Sequence, residues 1–536
     1  MLQHEKLTLQ HKIGQMVMCG FESRVPDEQI ETLITKYKLG NVIYFRRNLD
    51  TPLQVFRLSC KLQELAEKEV GIPLLISIDQ EGGMVNRTHE GVVGMPGNMT
   101  LGALRDPQAA YDSAYVSAEE LRAIGINMNF APCLDVNNNP DNPVIGVRSY
   151  GETAELVSKL GVEAMKGYQD GGVAATIKHF PGHGDTQADS HHALPLIPHP
   201  ARRLRELELV PFQKAINAGA DAVMSAHVIF PDLEPEHLPS TLSRQVMTRL
   251  LREEMGFDGV ITTDCLEMKA IDDHYGVAEG AVKAIEAGVD LVLVSHTLTK
   301  QVAAIGAILQ ALESGRLTEE RIDESVDRIL RLKQKLKLER DSLSEERVRR
   351  TVGTLKHQKL AERLYERSIT VVKDEGLLPL DKQAKTLAVW TEVRTGTEID
   401  EVIAQQGTLG AYLSERMGNV QEIRIGTEPT DDERQKVLEA ASLAEQIIFV
   451  SYNASFVPQQ LGLIKSLEEV RDRFIVIAGR NPFDLKDLPT VKTFVSCYEN
   501  RPMAMQAAAK VLTGETAPTG RLPVSITADY PIGSCC

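Results

Sequence analysis

Eight short apolar runs, at residues 13–19, 41–45, 73–79, 127–136, 173–179, 221–228, 259–264 and 290–295, recur with helical patterns between them. Each is apolar almost throughout, as a strand covered on both faces must be and a half-exposed antiparallel strand is not. Helical periodicity fills the gaps at 54–68, 156–169, 243–255 and 277–287, and Gly219 and Gly288 stand where helix ends feed the next strand. Eight parallel strands alternating with helices predict an N-terminal (β/α)8 TIM-like barrel; an open doubly wound sheet is the competing arrangement.

A chain of 536 residues exceeds one ordinary core, so two domains are expected. From Thr318 an amphipathic helix with Ile322, Val326, Ile329 and Leu330 on one stripe would close the barrel. Residues 336–367, rich in Lys, Arg and Glu, read as a helical linker with a solvated face. Further apolar runs at 368–372, 387–390, 447–452, 474–478 and 493–497 predict a C-terminal layered α/β sandwich domain. The division is therefore 1–335, 336–367 and 368–536. No glycine-rich phosphate loop follows any strand of the second domain, and Phe483, Tyr498 and Arg501 fall in its loops without an assigned role.

Composition narrows the function classes. Apolar residues at 43% and charged residues at 25% are ordinary for a soluble globular protein, which excludes disorder and coiled coil as the main content. A net charge of -16 with no basic run excludes a nucleic-acid partner and disfavours a membrane surface. The polar N-terminus has no signal-like apolar core, and the seven cysteines, an odd number without paired spacing, read as thiols of a reducing compartment. A cytoplasmic protein is expected. Cys535 and Cys536 read as an exposed tail, because a lipid-attachment Cys stands four residues from the end.

The chemistry concentrates at 178–191, where Lys178, His179, His183, Asp185, Asp189 and His191 follow an apolar run and are separated by Pro181, Gly182 and Gly184. A strand end with a reactive loop is where barrels keep their working groups. Asp79, Asp135, His227, Asp264 and Ser295 end other runs in the same way. The imidazoles and acids of 179–192 could in principle ligate zinc, but their glycine-flanked spacing is not the i, i+4 helical arrangement of metallohydrolases, and neither a metal nor another cofactor is expected.

Several separate motifs resemble glycoside hydrolase family 3, most closely its β-N-acetylglucosaminidase branch. They are Ile78-Asp79-Gln80-Glu81-Gly82-Gly83 with Arg87, Gly146-Val147-Arg148-Ser149-Tyr150-Gly151, Lys178-His179-Phe180-Pro181-Gly182-His183-Gly184-Asp185-Thr186, Asp189-Ser190-His191, and Thr263-Asp264-Cys265-Leu266-Glu267-Met268. The resemblance implies a retaining exo-β-N-acetylglucosaminidase with Asp264 as nucleophile and His191, oriented by Asp189, as acid and base. His192 is adjacent, and His191 is chosen because it holds the family position. The resemblance further implies that Asp79, Arg87, Arg148, Lys178 and His179 contact the terminal N-acetylglucosamine of a muropeptide-derived or chitin-derived fragment. Some relatives are described as phosphorylases, so phosphorolysis is the nearest alternative; a non-catalytic sugar-binding protein is the other.

Overall fold

A computed structural model describes residues 4–88, 90–187, 189–190, 194–338, 344–394, 407–468, 472 and 474–536. Strands β1 (Val17–Cys19), β2 (Asn41–Tyr44), β3 (Leu75–Ile78), β4 (Met128–Asn129), β5 (Ala174–Phe180), β6 (Ala222–Ser225), β7 (Val260–Cys265) and β8 (Leu291–Val294) form one closed barrel in chain order. Every neighbouring pair is parallel, including β1 with β8. The strands are buried on both faces, which is why they read as unbroken apolar runs.

Two expected strands come out differently. The run at 13–19 holds the end of helix Leu9–Gln15, capped by the Thr8 side chain, and only then β1. The run at 127–136 pairs regularly only over Met128–Asn129, because Pro132 has no N–H to donate; pairing resumes as a single bridge between Cys133 and Lys178. Helix Glu319–Lys335 buries Ile322, Val326, Ile329 and Leu330, as its stripe predicts.

Two helices, Glu345–Thr351 and Leu355–Ser368, lead to the second domain. The longer one is solvated on one side but buries His357, Ala361, Leu364 and Tyr365 on the other. The second sheet contains β9 (Thr370–Asp374), β10 (Thr386–Glu392), β11 (Val420–Gly426), β12 (Gln446–Ser451), β13 (Phe474–Ala478) and β14 (Thr493–Ser496), in the order β11-β10-β12-β13-β14-β9. All pairs are parallel except β14 with β9. Alternation sorts its core: Leu387, Val389, Ile447, Phe449 and Val476 face helices Asp431–Leu443 and Pro458–Glu468, while Trp390, Ile448, Val450, Ile475 and Ile477 join the cluster containing Leu409 and Met505. The result is a three-layer α/β/α sandwich. Strand β11 shows no continuous apolar run in the sequence because it is a sheet edge, half-exposed, with Glu422 and Arg424 interrupting Val420, Ile423 and Ile425.

The two domains meet where the carboxyl ends of the second sheet reach the barrel loops. Tyr452, Phe483 and Tyr498 pack there with Met84, Met99, Val147 and Val524 as one buried cluster.

Candidate active site

Asp264 stands near the end of β7, where the register with β8 slips: Thr262 pairs with Leu291 and Cys265 with Leu293, so β7 has one extra residue. The same slip occurs in β5, between Ile177 and Phe180, and the residues inside it are Lys178 and His179. An extra residue in one strand of a pair re-aims its side chains. Both irregularities therefore coincide with residues the sequence singles out. Asp264 Oδ1 accepts from the Cys265 amide at 2.7 Å, and His227 Nε2 braces the same turn by donating to the Cys265 carbonyl at 3.0 Å.

A network of charge links the other strand ends. Lys178, buried, donates to Asp79 and Glu81, each at 2.7 Å. Arg148, on the 3-10 turn Gly146–Arg148, grips both Glu81 oxygens at 2.7 and 3.0 Å. Its Nη2 also lies 3.2 Å from His179 Nε2, which must accept; His179 Nδ1 therefore carries the proton and donates to Asp135 at 2.7 Å. Asp135 also receives the His183 amide at 2.6 Å. One chain of hydrogen bonds thus runs from Asp79 through Lys178, Glu81, Arg148 and His179 to Asp135.

These contacts fix the charge states. Burial pushes the Glu81 carboxyl up, but the Arg148 and Lys178 charges overcome it and hold it far below the carboxylate range. Burial also opposes ionisation of Asp135, and the His179 contact outweighs it, leaving the group at about 2. For Lys178, burial favours the neutral amine, and Asp79 and Glu81 reverse that and raise it. His183 goes the other way: burial and the neighbouring His179 ring push it down to about 4, so it is neutral at pH 7. Its ring meets Thr186 Oγ1 at 2.8 Å and Ser190 Oγ at 3.1 Å.

Two adjoining cavities open at the barrel mouth. The smaller, about 70 Å³, is lined by Asp79, Glu81, Arg87, Arg148, Lys178, His179, His183, Ser190 and Asp264. The larger, about 460 Å³, shares Asp79, Arg87 and Asp264 and extends past Phe45, Arg46, Glu267 and His296. Of the expected site residues, Asp264, Asp79, Arg87, Arg148, Lys178 and His179 share one cavity wall. Asp189 is half-buried beside Ser190, and His191 lies outside the described residues. Glu81, which ties Lys178 to Arg148, is absent from the residues chosen by sequence, although a second acid two positions after Asp79 was a visible signal. Asp135 and His183 were visible only as a strand-end acid and a loop imidazole.

Among the described residues, ligand atoms of Cys133, Asp135 and His179 lie within 4.8 Å of one another. They suit a hydrogen-bonded brace better than a cation. Burial and the Asp135 charge keep the Cys133 thiol protonated, it donates to Asp135 at 3.1 Å, and the Arg148 guanidinium borders His179.

A parallel barrel with acids and cations gathered at its carboxyl strand ends, joined to an α/β sandwich, is the build of a two-domain barrel enzyme, and the family matches make it a glycoside hydrolase: the chain belongs to glycosyl hydrolase family 3. Residues 8–332 match the family's N-terminal domain and 369–531 its C-terminal domain. The chain is 54% identical to a glycoside hydrolase family 3 β-N-acetylglucosaminidase from Paenibacillus sp. str. FPU-7, with a TM-score of 0.94 over 97% of this chain and 99% of that one. It is 35% identical to Beta-hexosaminidase A of Pseudoalteromonas piscicida over 71% of this chain and 70% of that protein. The Beta-glucoside phosphorylase BglX superposes with a TM-score of 0.80 at 25% identity, covering 98% of this chain and 95% of that one.

Proposed function

We propose that the protein is a retaining exo-β-N-acetylglucosaminidase acting on fragments derived from peptidoglycan or chitin. The observation carrying this reading is that Asp264 shares one cavity with the Asp79, Lys178, Glu81, Arg148 and His179 network. The 54% identity to a family 3 β-N-acetylglucosaminidase supports the choice of sugar.

In the first step an Asp264 carboxylate oxygen attacks the anomeric carbon as the glycosidic C–O bond breaks, and the His191 imidazolium gives its proton to the departing oxygen. Water then attacks the glycosyl ester, His191 takes its proton, and Asp264 leaves as carboxylate. A group with a reference pKa of about 6.5 can serve in both directions near neutral pH, and Asp189 orients it. Asp79, Arg87, Arg148, Lys178 and His179 hold the sugar by charge-assisted hydrogen bonds, and the larger cavity receives the leaving group. The barrel, residues 1–335, carries these groups, with 336–367 as linker and 368–536 as the second domain. Among the described residues no helix is long and apolar enough to cross a membrane. On this reading the enzyme acts on imported fragments in the cytoplasm.

Proton NMR of an aryl N-acetyl-β-glucosaminide digest tests the reading. The expected first product is β-N-acetylglucosamine, unchanged by added phosphate. First-formed α-anomer would exclude retention, and a lack of turnover would leave a sugar-binding protein. The likeness to a phosphorylase supports a second reading, which N-acetylglucosamine 1-phosphate formed in phosphate buffer would establish.

A further inference from the structure

Two buried residues of the second domain, Glu499 and Arg501, bond to segments above the barrel strands. Arg501 donates from Nε to the Gly83 carbonyl at 3.0 Å and from Nη2 to the Met84 carbonyl at 2.8 Å. Those carbonyls belong to the turn closed by Gly82 and Val85, whose amides and carbonyls bond each other and the Glu81 amide at 3.1 Å. Gly82 and Gly83 have φ of +92° and +56°, and a Cβ on Gly83 would lie 2.7 Å from the Gly97 Cα, so the turn has one tight shape. Glu81, on its rim, is the acid that holds both Arg148 and Lys178.

Glu499 supports the other side. Helix Asn98–Leu104 begins at Gly97, which has no side chain to cap it. Glu499 Oε1 takes that place, accepting from the Gly97 amide at 3.1 Å and the Thr100 hydroxyl at 2.6 Å, while Oε2 accepts from Tyr365 at 3.0 Å. From the first residue of the same helix, Asn98 donates to the Arg148 carbonyl at 2.6 Å. The second domain thus grips the turn that follows Glu81 and the helix whose first residue bonds the Arg148 main chain. On the β7 side of the cavity, the turn after Asp264 is braced at the Cys265 carbonyl by His227, a barrel residue.

We propose that Arg501 and Glu499 are positioning residues for sugar binding: without lining the cavity, they set the turn and the helix that aim Glu81 and Arg148, and through Glu81 also Lys178. The proposal rests on the reading of the cavity as the N-acetylglucosamine site. Because the brace acts on groups that hold the sugar and not on the nucleophile, its loss should raise KM and leave kcat nearly unchanged.

The test is steady-state kinetics on an aryl N-acetyl-β-glucosaminide, inhibition by free N-acetylglucosamine, and amide hydrogen exchange across residues 81–87, all with the full chain. Arg501→Met is expected to raise KM and the inhibition constant about tenfold, with kcat within about threefold and faster exchange across the turn. Arg501→Lys, which keeps one donor, should recover part of the loss, as should Glu499→Gln relative to Glu499→Ala. If KM, the inhibition constant and exchange all stay within twofold of the parent, the proposal is overturned. Should Arg501→Met or Glu499→Ala fail to fold, the same three measurements on Arg501→Lys and Glu499→Gln decide the matter. A parent enzyme that neither cleaves nor binds the sugar would defeat the functional reading instead, and exchange across the turn would then decide the brace alone: faster in Arg501→Met supports it, unchanged removes it.

Discussion

The barrel and the second domain both end parallel strands in polar loops, yet they use those ends in opposite ways. At the barrel mouth Asp79, Lys178, His179 and Asp264 face a cavity. In the second sheet, Tyr452, beyond β12, and Tyr498, beyond β14, are buried against Met84 and Val147 of the barrel. The carboxyl ends of an open α/β sheet are the usual ligand crevice. Here that crevice is filled by the neighbouring domain. The same architecture therefore gives a site where the strand ends stay open and a clamp where they are covered.

The contrast is tested most severely at the open end. Asp264→Asn should lower turnover of an aryl N-acetyl-β-glucosaminide by at least about a thousandfold, and a folded variant retaining a tenth of the parental rate would remove Asp264 as nucleophile. Glu81→Gln comes next. It loosens a buried acid held by two cations and should cost about 3 kcal/mol in denaturant unfolding together with about a hundredfold in kcat/KM; a loss of stability without a loss of activity would separate the network from sugar binding.

Acid should act on the same network in two stages. His183 sits at about 4 in the folded chain, whereas the unfolded imidazole takes up a proton below about 6.5. Its contribution is complete above pH 6.5 and drains as pH falls towards 4, up to about 3 kcal/mol. Glu81 and Asp135, held below their unfolded values, add a second loss below about pH 4.5. Unfolding free energies measured from pH 7.5 to 3 should show both stages, and His183→Gln should flatten only the upper one.

Two smaller effects probe the covered end. Gly146 has a φ of +43°, and a Cβ there would lie 2.5 Å from Asn481 Oδ1. Gly146→Ala should cost about 1–3 kcal/mol and raise KM through Arg148, two residues on; a fully stable variant with parental KM would mean this junction gives way freely. The ion pair between Lys486 and Asp141 crosses the same boundary at 2.9 Å but is 31% and 66% exposed. Lys486→Ala should change stability by less than about 1 kcal/mol and leave kinetics untouched, and a larger effect would show that the clamp depends on its rim.

Much of this was legible in the chain itself. The barrel strands are buried on both faces, so apolar runs marked them whatever their partners. Asp264, Lys178 and Asp79 were legible because each ends such a run. Strand β11 was not, because a charged edge resembles a loop when read one residue at a time. Glu81 lies 67 residues from Arg148 and 97 from Lys178, so its role as the shared acid exists only once the barrel closes. Arg501 was indistinguishable from any loop arginine, since its partners are main-chain carbonyls, which carry no sequence signature.

The added residues in β5 and β7 bear on how this scaffold can change. A regular strand turns consecutive side chains to opposite faces, so removing one position from either slip would take away the irregularity within which the consecutive Lys178 and His179 both line the cavity, or within which Asp264 reaches it. A single-codon deletion would therefore re-aim side chains that no exchange of residue type moves, and in these two segments chain length is constrained as well as residue identity.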